Sequence, residues 1–96
     1  MLQITTERNQ AELAVTLSGR LDTVTAPDLS ETLKDLSGIT NIVMDCADLS
    51  YVSSAGLRVL LTARKSISGE LILEHVAPSV LDVLDITGFT GILTIR

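Results

Sequence analysis

Aromatic residues are nearly absent from this chain of 96 residues: Tyr51, Phe89 and no tryptophan. The core must therefore be aliphatic, and a stacking platform for unpaired nucleobases is excluded. Basic residues are also few. Seven Lys and Arg stand against twelve Asp and Glu, for a net charge of −5. Nucleic-acid binding needs clustered Lys and Arg on phosphates, so it is not expected. Cys46 is the lone cysteine and His75 the lone histidine, which rules out an internal disulfide and a zinc site of the usual donors. No apolar run is long enough to cross a bilayer, so membrane insertion is not expected. No basic segment followed by an apolar stretch opens the chain, as a secretory signal would. These absences fit a cytoplasmic protein forming one small domain over residues 1–96. At 46% apolar, the composition is that of a folded chain.

Local patterning predicts an α/β domain. Leu2, Ile4 and Thr6 alternate with polar neighbours and suggest a short strand, followed by a polar break at Glu7–Gln10. Leu13, Val15 and Leu17 give a second strand, ended by Gly19, that should form an antiparallel hairpin with the first. Thr25-Ala26-Pro27-Asp28 reads as a helix start. Thr25 is placed to cap, Pro27 is tolerated in the first turn, and Asp28 completes a capping-box spacing. Leu29, Leu33 and Leu36 make its apolar stripe, and Gly38 its stop. Ile42-Val43-Met44 is continuously apolar, as in a strand covered on both faces. Asp48–Tyr51 reads as a loop, and a helix follows from Ser54, with Leu57, Leu60 and Leu61 inward and Ser68-Gly69 at its end. Leu71-Ile72-Leu73 is another strand, Pro78 opens a third helix that Gly88 closes, and Ile92–Ile95 is a last strand. The order β-β-α-β-α-β-α-β implies a mixed, mostly parallel sheet opening with a β-hairpin, with helices packed on it and its faces covered.

No enzyme is visible. A nucleophile elbow needs Gly two residues before the serine, and Val52 stands there ahead of Ser54. His75 has no spacing relation to Ser54 that suggests a triad. Phosphate-cradling glycine loops are missing, and no cofactor is implied. What remains is the turn Ser53-Ser54-Ala55-Gly56. A hydroxyl there can cap the helix, or stand exposed on a rigid scaffold where another protein can modify it. Ala55 and Gly56 would leave the backbone open to close approach.

The stretch Asp48-Leu49-Ser50-Tyr51-Val52-Ser53-Ser54-Ala55-Gly56-Leu57-Arg58 resembles the signature of STAS domains, specifically of bacterial anti-sigma-factor antagonists. Ser18-Gly19-Arg20-Leu21-Asp22, Ala77-Pro78-Ser79-Val80 and Leu84-Asp85-Ile86-Thr87-Gly88-Phe89 resemble further segments of that family, in the same order. The resemblance implies a partner-switching regulator. Such proteins bind an anti-sigma factor, a serine kinase of the histidine-kinase-like ATPase type, and free the sigma factor. Phosphorylation by the kinase ends binding, and a serine phosphatase restores it. By position the phosphoacceptor is Ser54, with Ser53 the second candidate. Asp22, Asp48, Ser53, Ala55, Gly56, Leu57 and Arg58 are the candidate partner-binding residues. Ser53 occupies the place of the family's Asp, and Ala55 that of its second hydroxyl. The family's C-terminal helix has no counterpart before Arg96. A docking subunit of a transporter ATPase, without a phosphorylation switch, is the alternative reading.

Overall fold

The computed structural model describes all 96 residues. Five strands form one sheet in the order β1-β2-β3-β4-β5: β1 Leu2–Asn9, β2 Glu12–Leu21, β3 Asn41–Val52, β4 Leu71–Glu74 and β5 Thr94–Ile95. β1 is antiparallel to β2, from Leu2 opposite Gly19 to Asn9 opposite Glu12. The other neighbours are parallel. Three helices connect the parallel strands: α1 Ala26–Thr32, α2 Ser54–Lys65 and α3 Pro78–Ile86.

The predicted class and element order hold, but only one face of the sheet is covered. Successive strands step across the sheet in one direction, and right-handed crossovers then place every helix on the same side. The burial pattern agrees. Leu13, Val15 and Leu17 of β2 and Ile42, Met44 and Cys46 of β3 join Leu29 and Leu33 near α1, Leu57 and Leu60 of α2, and Val80 and Leu84 of α3 in one core. Val43, which separates Ile42 from Met44, is only half-buried. Its neighbour Ile72 on β4 is buried but lies outside that core. The apolar run at 42–44 thus reflects an apolar strip on the open face, not a second layer of helices.

Both central strands run further than their patterns suggest. β2 continues past Gly19 to Leu21, and β3 continues through the predicted loop at Asp48–Tyr51. The reason is bulging. Thr16 and Ser18 face Asp45 and Asp48, and Gly19 and Arg20 face Leu49 and Tyr51, so β3 carries an extra residue at each place. Each insertion shifts the inward phase by one. Burial then recurs at Cys46, Leu49 and Val52, every third residue, which alternation cannot reveal. Gly19, at φ 109°, permits the bend, and a side chain there would collide with the Met1 carbonyl.

The ends of other elements also differ. β1 reaches Asn9 before a tight turn at Gln10 and Ala11. α1 stops at Thr32, well before Gly38. Leu61 is half-buried, while Gly56 and Ala63 face inward on α2. The last strand is only Thr94–Ile95, preceded by a 3-10 turn at Phe89–Gly91.

Gly56 fixes how α2 sits on the sheet. A Cβ there would lie 2.6 Å from Leu21 Cγ and 3.0 Å from the Leu21 carbonyl oxygen. Gly56→Ala gains up to about 1 kcal/mol of helix propensity, but overpacking costs about 1–3 kcal/mol. We expect a net loss of up to about 2 kcal/mol in urea unfolding. A stabilised variant would show that the contact is not restrictive.

Candidate functional site

Parallel β2 and β3 end side by side, with Leu21 opposite Val52. Each then enters a helix, so two turns meet at the carboxyl end of the sheet, where open α/β sheets place their sites. The Ser53 N–H donates to the Leu21 carbonyl at 2.9 Å and ties the turns together.

Ser53 is the cap of α2. Its backbone is extended, its Oγ accepts from the Gly56 N–H at 3.3 Å, and its carbonyl accepts from the Leu57 N–H at 2.9 Å. Ser54 is the first helical residue and is exposed. The two adjacent hydroxyls therefore have different surroundings: one is half-buried and bonded to the backbone, the other faces solvent.

The β2–α1 turn is held by Asp22 and Thr25. Asp22 Oδ1 accepts from the Val24 and Thr25 N–H groups, both at 3.0 Å. Thr25 Oγ1 accepts from the Asp22 N–H at 2.9 Å and donates to the Arg20 carbonyl at 2.7 Å. The Thr25 N–H in first place, with help from Val24, holds the Asp22 carboxyl below the usual carboxylate range. Thr25 does not cap α1, contrary to the sequence expectation, and the box with Asp28 does not form. Its backbone is already helical at φ −95°, ψ −17°, and its buried hydroxyl turns back to the strand end instead.

This clamped turn presents Val24 to solvent, 83% exposed. On its flank the Arg20 guanidinium lies 4.2 Å from the Tyr51 ring centroid, with Nε 3.9 Å from Asp22 Oδ2. Between α1 and α2 runs a groove of about 410 Å³, lined by Thr23, Ala26, Ala55, Arg58, Val59 and Thr62 among others. Thr23 and Ala55 bring one residue from each turn to the same groove.

Of the residues singled out from sequence, the fold brings Asp22, Ser53, Ser54, Ala55 and Arg58 to this end. Gly56 and Leu57 belong to the same helix start but are buried, so neither leaves backbone open to a partner. Asp48 is exposed on β3 beside Ser18. Its partner Ser18 lies three residues before Leu21, so Asp48 stands roughly 10 Å back along the strands and does not converge with Asp22. Thr23, Val24 and Thr25 escaped sequence reading as site residues. Asp22 followed three residues later by Thr25 was the available signal, since Asp side chains bind N–H groups two residues on in turns.

His75 lies just past β4 in a left-handed conformation, φ 57°. Its Nδ1 is 3.1 Å from Asp45 Oδ1. The Ala47 N–H, then His75, hold the Asp45 carboxyl below its usual range. This pair engages no serine. Cys46 is buried, which pushes its thiol up to about 12.

Residues 3–96 match the STAS domain model. The chain belongs to the STAS family. BtrV of Bordetella bronchiseptica is 32% identical over 99 residues, covering 98% of this chain and 85% of that protein. The anti-sigma-B factor antagonist of Bacillus subtilis is 30% identical over 98 residues, covering 98% of this chain and 90% of that one. Among solved structures, an anti-sigma factor antagonist from Mycobacterium paratuberculosis superposes with a TM-score of 0.88 at 20% identity, over all of this chain and 86% of that one. The fold of this STAS chain is therefore shared with antagonists of anti-sigma factors, proteins named for regulation rather than catalysis. No helix in it is long and apolar enough to cross a membrane.

Three substitutions check the local assignments. Ser53→Ala removes the cap and should cost about 1 kcal/mol in denaturant unfolding, while Ser54→Ala should stay within a few tenths. Asp22 has a lowered folded-state pKa, so its contribution is present above the unfolded pKa of about 4 and is lost as pH falls through the folded value. The stability difference between the protein and Asp22→Ala should be constant near neutral pH and shrink below about pH 4. A difference that grew in acid would contradict the assignment.

Proposed function

We propose that this STAS domain is an anti-sigma factor antagonist switched by phosphorylation of Ser54. Unmodified, it binds an anti-sigma factor that is also a serine kinase of the histidine-kinase-like ATPase type, and a sigma factor is released. Phosphorylated, it no longer binds, and a serine phosphatase resets it. The observation that carries this reading is the division of labour between the serines: Ser53 is spent on the cap, which leaves Ser54 exposed at a fixed point of the helix. The named role of the Bacillus subtilis relative supports the choice of partner.

The surface offered to the partner consists of Ser54, Ala55 and Arg58 on α2 and of Asp22, Thr23 and Val24 on the adjoining turn. Ser53 contributes through the shape of the turn. An exposed valine beside a groove suits an apolar contact ringed by polar groups, the usual anatomy of a protein interface. A phosphate adds about −1.5 to −2 charges at neutral pH. The free N–H groups and dipole of the first helical turn tolerate it, so the domain stays folded. A partner packed on Ala55 would instead have to desolvate a dianion, with the Asp22 carboxylate close by.

Incubation with the cognate kinase and ATP should label Ser54, as located by peptide mass spectrometry, and Ser53→Ala should still be labelled. In calorimetry against the anti-sigma factor, Ser54→Ala should bind and Ser54→Asp should lose at least about tenfold in affinity, 1.4 kcal/mol. Both should keep their urea midpoints close to that of the unmodified protein. Labelling confined to Ser53, or undiminished binding by Ser54→Asp, would sink the proposal.

A further inference from the structure

We infer that Arg58 captures the phosphate on Ser54, so that modification both adds a dianion and withdraws a cation from the partner surface. The inference rests on Ser54 being the acceptor. Arg58 lies four residues after Ser54 on a regular helix of twelve residues. Residues at this spacing share a face, with Cβ atoms about 5–6 Å apart. Helical side chains lean toward the N-terminus, so Arg58 leans back over Ser54. Its guanidinium is a planar fork that matches two phosphate oxygens at once.

Arg58 is also uncommitted. The ion pairs of the protein engage Arg20, Lys34, His75 and Arg96, and Arg58 is exposed. The other charged groups on the packed elements do not replace it. Arg20 is held over Tyr51 and close to Asp22, and Asp28 and Glu31 of α1 carry the wrong sign. Arg64 and Lys65 lie in the last turn of α2, at its far end. In the unmodified protein Arg58 lines the rim of the α1–α2 groove beside Ala55, where it can meet an acidic group of the partner. Pairing with a phosphate on Ser54 would turn it away from that rim.

Phosphoserine installed at position 54 by codon expansion allows a test without any kinase. In a ³¹P NMR titration at low salt, the second phosphate ionisation should fall lower in the otherwise unchanged protein than in Arg58→Gln, by about 0.15–0.4 pH unit. Arg58→Lys should keep part of the shift, Lys65→Gln should keep all of it, and 1 M salt should narrow the gap. Coincident titrations for the protein and Arg58→Gln would overturn the inference, as would a Lys65→Gln effect of equal size. The same phosphorylated protein, added to the anti-sigma factor, separates the two claims. Undiminished binding would defeat the switch and leave the titration result standing.

Discussion

Leu21 holds the functional end together. Its side chain is completely buried and fills the space that a Cβ on Gly56 would occupy. Its carbonyl accepts from Ser53. The last residue of β2 thus touches both the cap of α2 and the helix's first turn. That contact sets the separation of the two turns and aims Ser54 outward. It also gives a steric reason within the fold for the helix-weakening glycine at 56.

The rest of the architecture follows from one-sided packing. Leu17, Leu29, Ile42, Met44, Leu60, Leu71 and Leu84 are all nearly or wholly buried in a single aliphatic layer, each worth about 1.5–3 kcal/mol on burial. With aromatics scarce, the layer depends on many interlocking branched side chains rather than a few large ones. The helices have firm footing on one side only, and the site lies where two of them begin.

Much of this was legible in the sequence. Element order, the opening hairpin, the start of α2 at Ser54 and the stop of α3 before Gly88 follow from period, caps and glycine. The departures from it share a physical origin: residues with local signals answer to distant partners. The bulges in β3 converted alternation into a three-residue recurrence, so strand looked like loop. Thr25 has the chemistry of a cap, but the carbonyl of Arg20, five residues earlier, claimed its hydroxyl. Gly56 and Leu57 stand inside the family-like segment, yet their orientation depends on Leu21, more than thirty positions away. The placement of Thr23 beside Ala55 depends on the same long-range closure.

The antiparallel β1 has a practical corollary. Because Leu2 pairs with Gly19, and the Met1 carbonyl accepts from the Arg20 N–H at 3.2 Å, the first residue lies alongside Arg20 rather than at the remote end. An affinity handle or fluorophore joined to Met1 would crowd the surface it is meant to report on. The Gln10–Ala11 turn at the opposite end of the hairpin is exposed, and a probe grafted there would leave that surface unobstructed.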